Sequence, residues 1–288
     1  MDRQREIRDF LVTRRGRVSP RQAGLPALGA HRRVPGLRRE EVALLAGVSV
    51  DYYVRLERGH LAGASDSVLD AVADALQFDA AERSHLFDLA RAGRGKGLDV
   101  KEDVPEGVQR VLDAMGSVPA FVWNRRLDLV AANYLGHALY APMYDEPSVG
   151  PVNIARFQFL DPAARSFFHD WDESIRNTVA LLRTGAGMMP HDRAMNALVE
   201  ELSAASEPFA RCWRDHEVRL HWSGVKEYAH PAVGQLSLPF ETLTLPGRPD
   251  LMLSVLTPDP GSESARRVRL LADWADTRPA LAAPAGTR

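Results

Sequence analysis

The sequence predicts an all-helical N-terminal domain of about five helices, followed by an α+β domain built on an antiparallel sheet. Three observations carry this. Up to residue 92, apolar residues recur at helical spacing with no β-branched alternation. A stretch at 91–105 with three glycines and mixed charge then interrupts the pattern. Beyond it, short apolar runs, helical segments and further apolar runs follow one another, the order of an antiparallel α+β domain. A chain of 288 residues is long enough for two domains. The expected division is a helical domain at 1–92, a linker at 93–104, a second domain at 105–275 and a flexible tail at 276–288.

In the first domain Ile7, Phe10, Leu11 and then Arg14 share a helical spacing, as do Val42, Leu45 and Ala46, then Leu69, Val72, Ala73 and Leu76, and finally Leu86, Phe87, Leu89 and Ala90. In the second, a helix at 106–115 precedes short strand-like runs at 118–123 and 127–132, split by Asn124-Arg125-Arg126 as a tight connection. Helices are expected around 133–140, 174–183 and 193–204. Strand-like runs follow at 218–222, 233–238, 241–245 and 251–256, with a last helix near 265–274.

Composition excludes several classes. An apolar content of 45% with 26% charge is that of an ordinary globular chain, not of a disordered or fibrous one. No stretch approaches 18 uncharged apolar residues, and the N-terminus carries Asp2, Arg3, Arg5 and Glu6 where a signal peptide would turn apolar, so neither a membrane span nor a leader is expected. A single cysteine, Cys212, cannot form an internal disulfide, and a cytoplasmic location is expected. The net charge of −2 hides an asymmetry: residues 1–60 carry +6 and the remainder −8. The basic end is the candidate for a polyanionic partner, although arginine covering a solvated face accounts for the charge equally well.

The informative segment is 37–59. Residues 39–46 form a short amphipathic helix in which Ala43 is small where a second helix must approach; Gly47 suits the left-handed position that ends it, and Val48 turns inward. Ser49 is a good N-cap for the next helix, Asp51 suits the positive end of its dipole, and Tyr53 and Leu56 share its inner face. The outward face is Val50, Asp51, Tyr52, Val54, Arg55 and Arg58, and Gly59 closes the helix. Two short helices joined by a tight turn match a helix-turn-helix.

The wording Leu37-Arg-Arg-Glu-Glu-Val-Ala, Ser49-Val-Asp-Tyr-Tyr and Arg55-Leu-Glu-Arg-Gly59 resembles the Cro/repressor-type (XRE family) helix-turn-helix, and more closely the actinobacterial MmyB-like regulators. Trp123-Asn124, Asn133, Phe157, Trp171, Leu182-Arg183, Trp213, His216, the run from His230-Pro231 to Gly234 and that from Glu241 to Gly247 resemble that family's second domain, a PAS-like ligand-binding module. One departure is that residues 60–67 lack the proline the family has after the motif. The resemblance implies double-stranded DNA as partner, with Val50, Asp51, Tyr52 and Arg55 at base edges in the major groove. Arg14, Arg15, Arg32, Arg33, Arg38, Arg39 and Arg58 would lie beside phosphates and supply salt-dependent affinity. Asp51 either accepts from cytosine N4 or serves only the helix dipole. A homodimer on a pseudo-palindromic operator is implied as well.

An enzyme is not expected. Cys212, Asp215 and His216 are close in sequence, yet no glycine-rich turn exposes a nucleophile. The acids of 169–173 read as an exposed helix start rather than metal ligands, and neither a metal nor a cofactor is expected. His216, His221 and His230 read as scaffold histidines. The aromatic-rich second domain is read as a cavity for a small apolar or amphipathic ligand, fatty-acid-like or a specialised metabolite as the resemblance implies. Its expected lining is Phe121, Trp123, Tyr134, Trp171, Trp213, and, for an acidic head group, Arg183 and His216. The alternative is a ligand-sensing module that acts on a protein partner rather than on DNA.

Overall fold

The computed structural model describes residues 3–25, 35–92, 103–144, 151–218 and 222–278. Arg32, Arg33, His221, most of the expected linker and residues 279–288 lie outside them. The chain divides into two compact units. The first holds the described residues up to 92 together with Arg183–Ala197 and 211–218; the second holds the rest.

Five helices open the first unit: α1 (Arg3–Arg17), α2 (Arg39–Leu45), α3 (Val50–Glu57), α4 (Asp66–Ala75) and α5 (Ala80–Arg91). Each of the last three begins on a side-chain cap, with Ser49, Ser65 and Asp79 accepting from the amides of Tyr52, Val68 and Glu82. Their apolar stripes close one core, in which Ile7, Phe10 and Leu11 of α1 meet Val42 and Ala43 of α2, Tyr53 and Leu56 of α3, Leu69, Val72 and Ala73 of α4 and Leu86 and Leu89 of α5. Phe10 makes edge-to-face contacts with Phe78 and His85 at 5.3 and 4.9 Å between ring centres.

The second unit begins with α6 (Glu106–Ala114), β1 (Ala120–Asn124), β2 (Leu129–Ala132) and α7 (Tyr134–Leu139). After a short 3-10 turn at Ala141–Met143 come α8 (Ile154–Leu160), α9 (Ala164–Phe167), α10 (Trp171–Met188), α11 (Arg193–Ala205) and α12 (Glu207–Arg214). Strands β3 (Ser223–His230), β4 (Gly234–Leu245) and β5 (Arg248–Leu256) and helix α13 (Glu263–Asp276) follow. The division between the units falls inside α10 and again inside α11 and α12.

The five strands form one antiparallel sheet in the order β2-β1-β5-β4-β3. Successive side chains of β1 point to opposite faces, and both faces are covered. Ala120 and Val122 join Leu251, Leu253 and Leu112 of α6 in a small core on one side. Phe121 and Trp123, at 1% and 5% exposure, point to the other side, where the helices lie. Buried polar side chains fix the turns. Asn133 accepts from the amides of Ala120 and Gly136 and donates to the carbonyls of Met115 and Val118. Asp128 accepts from Asn124, Asn153 and Arg126.

Of the run expected at 218–222, residues 219–221 lie outside the described residues; Val218 belongs to the core of the first unit, and β3 begins at Ser223. One strand expectation changes. The runs 233–238 and 241–245 are one strand, because Pro239 opposite Val225 removes only a single ladder donor and its carbonyl still accepts from Thr257.

Candidate nucleic-acid interface and ligand cavity

Helices α2 and α3 meet across the turn at Gly47, whose φ of +64° is the left-handed conformation expected there. With Tyr53 and Leu56 buried, α3 turns Val50, Asp51, Arg55 and Arg58 to solvent, and leaves Tyr52 and Val54 half-buried. Three of those four exposed side chains are charged, and the two arginines stand one turn apart. Leu44 on α2 is also exposed, at 72%.

The basic residues around α3 divide sharply. Glu57, 1% exposed at the end of α3, accepts from Arg15 Nε at 2.7 Å and from Arg39 Nε at 2.6 Å. Arg15 also donates to the Leu37 carbonyl at 2.8 Å. Arg39 keeps half of its side chain in solvent at the start of α2, a fixed cation available to a phosphate. Arg38 is exposed, and its amide donates to Glu41 Oε2 at 2.6 Å. Arg14 is a correction. It lies 3% exposed, paired with Glu82 at 3.0 Å and donating to the His216 carbonyl at 2.6 Å, so no face of it is left for DNA. It occupies the next position on the buried stripe of Ile7, Phe10 and Leu11, and that spacing was the signal for its burial.

Arg183, Trp213 and His216 are a second correction, because they belong to the first unit and not to the cavity. The Arg183 guanidinium is buried against the Glu6 carboxylate of α1, donates to the Trp213 carbonyl and stacks on the Trp213 ring at 4.1 Å. It also lies 2.9 Å from His216 Nδ1. Burial pushes the Glu6 carboxyl up, but Arg183 and His216 outweigh it and hold it at about 2. Beside this pair His85 is fully buried and makes no hydrogen bond among the described residues; burial lowers its imidazole to about 4. Gly187 of α10 lies so close that a Cβ there would come within 2.5 Å of the His85 ring.

The second unit contains a cavity of about 210 Å³. It is lined by Phe121 and Trp123 of β1, by Ser174, Asn177, Thr178 and Leu181 of α10, and by Val225, Lys226, Glu227 and Tyr228 of β3. Phe121 and Trp123, two of the expected lining residues, are among those that line this cavity. Tyr134 does not line it: its hydroxyl donates to Asp276 of α13 at 2.6 Å. Trp171 does not either; its indole N–H donates to the Gln158 carbonyl at 3.1 Å, and Arg165 covers its ring. His230 is a scaffold histidine, its Nε2 3.1 Å from the Ala138 carbonyl. Sequence reasoning missed Glu57 and Lys226. Lys226 carried a faint signal, as one of three lysines in a chain with thirty-three arginines.

Among the described residues no helix is long and apolar enough to cross a membrane, and no three His, Cys, Asp or Glu side chains come together as a metal would need. Residues 9–86 match a helix-turn-helix domain, and residues 104–271 match the MmyB-like transcription regulator ligand binding domain. The free face of α3 and the cavity behind the sheet therefore belong to a ligand-responsive DNA-binding transcription regulator. The second match spans more than half of the chain, and the chain belongs to the MmyB-like transcription regulators. No curated protein matches it.

Proposed function

We propose that the protein binds a pseudo-palindromic operator as a homodimer through α3, and that a small apolar or amphipathic ligand in the 210 Å³ cavity modulates its operator affinity. The observation that carries this reading is the exposed face of Val50, Asp51, Arg55 and Arg58 on a helix whose other side is locked into the core. Arg55 has the donor geometry for guanine O6 and N7, and Val50 is suited to a thymine methyl. Arg15, Arg38, Arg39 and Arg58 supply sequence-independent affinity from the flanks of that face. A module of this size makes few base contacts, so selectivity calls for two half-sites about 34 Å apart. Hydroxyl-radical footprinting on the DNA flanking the gene tests it. Two protected patches one helical turn apart are expected, and a saturating complex on a single half-site would refute the dimer. Capture of a protein partner with no protected DNA would favour the alternative reading as a sensor acting on protein.

A further inference from the structure

Most of the polar groups around the cavity are committed to one another. Ser174 and Thr178 are tied to the two ends of the Gln158 amide, the first at 2.5 Å. The Trp123 indole N–H donates to Ser254 Oγ at 2.9 Å, and the Tyr228 hydroxyl is paired with Tyr140 at 2.8 Å. Lys226 differs. Its ammonium lies 5.0 Å from the centre of the Phe240 ring and makes no hydrogen bond or ion pair among the described residues. Partial burial lowers it to about 8, so at neutral pH it is a half-buried cation with an aromatic face beside it.

A cation held in this way is costly until an anion reaches it, and a charge-assisted hydrogen bond to a carboxylate is the interaction that relieves it. Asp170, Glu173 and Glu227 also line the cavity, but all three are exposed, and solvent and salt screen them within about 8 Å. The less exposed charge, Lys226, therefore sets the preference. Size narrows the ligand further. An apolar cavity of about 150 Å³ admits benzene, so 210 Å³ holds roughly eight to ten non-hydrogen atoms.

We infer that Lys226 anchors the anionic head of the ligand and that the cavity takes a compact monocarboxylate, its apolar body against Phe121, Trp123 and Tyr228. This rests on the cavity being the ligand site. Calorimetric titration of the full chain with benzoate, benzamide and benzylamine tests it. Benzoate should bind about tenfold more tightly than benzamide, the scale of one hydrogen bond to a charged group. Lys226→Met should bring benzoate down to the affinity of benzamide while leaving benzamide within about twofold, and Lys226→Arg should keep the preference for the acid. The inference is overturned if benzamide or benzylamine equals benzoate, if Lys226→Met keeps the preference, or if neither benzoate nor hexanoate binds. Benzoate bound through Lys226 with no change in operator affinity would instead remove the regulatory reading and leave the anchor standing.

Discussion

Replacing Arg183 with methionine tests whether the buried pair with Glu6 is a structural unit or a misplaced ligand site. Arg183 is 1% exposed, and the substitution removes its contacts to the Glu6 carboxylate, the Trp213 carbonyl and His216 Nδ1. Glu6, itself 7% exposed, is left with the His216 imidazole 3.7 Å away. Removing one member of such a pair costs about 3–5 kcal/mol, because the remaining charge stays buried without compensation. The carboxyl shift gives the same scale independently: moving from 4.5 to about 2 corresponds to about 3 kcal/mol. The sign follows from the depressed carboxyl. The contribution is present above pH 4.5 and is lost as pH falls toward 2, so Arg183→Met should also flatten the acid limb of the stability profile. Urea unfolding followed by tryptophan fluorescence reads this out, since Trp213 stacks on the guanidinium. The double variant Glu6→Leu, Arg183→Met should recover most of the loss, with a coupling energy of at least about 2 kcal/mol. A loss under about 1 kcal/mol, or strict additivity of the two single variants, would refute the reasoning. Benzoate affinity should be unchanged in Arg183→Met; its collapse would return Arg183 to the ligand site.

Other outcomes are equally specific. Arg55→Ala should cost about 1–3 kcal/mol at one base pair of each half-site and relax specificity there, while Arg39→Ala should weaken binding to all sequences and flatten the salt dependence by about one unit of slope; anisotropy titrations on matched and mismatched operators at several salt concentrations separate the two. His85 is lowered by burial to about 4, so between pH 6.5 and 4 the unfolded chain takes up a proton that the folded chain refuses, and stability falls by about 3 kcal/mol across that window. His85→Leu should abolish that dependence, and a persisting slope between pH 6.5 and 4 would show that the imidazole is not its source. Lengthening the segment at 93–102 with flexible residues should preserve ligand binding and half-site recognition while abolishing the ligand's effect on the full operator; titrating ligand against DNA-bound protein of both lengths checks this, and an undiminished response would show that protomer spacing is not the transmitted quantity.

What the sequence revealed follows from how local each feature is. The helix-turn-helix depends on Ser49, Gly47 and the spacing of Tyr53 and Leu56, all within a dozen residues, and it folds as read. Arg14 was misassigned because its charge was given more weight than its position on the apolar stripe. The Glu6–Arg183 pair joins residues 177 apart in sequence, and nothing near either one signals the other. Strand β3 was missed because it lies at the sheet edge with its first three residues exposed, which hides the alternation that marks a half-buried strand. Lys226 sits in that strand, so the residue that matters most to the cavity fell in the segment least legible from periodicity.

A ligand would alter DNA binding only to the extent that it binds the operator-competent arrangement more tightly than the incompetent one, and the operator would then alter ligand affinity by the same factor. Calorimetry of ligand binding to free and operator-bound protein reads that factor: unequal affinities are expected, and equal ones would refute the coupling.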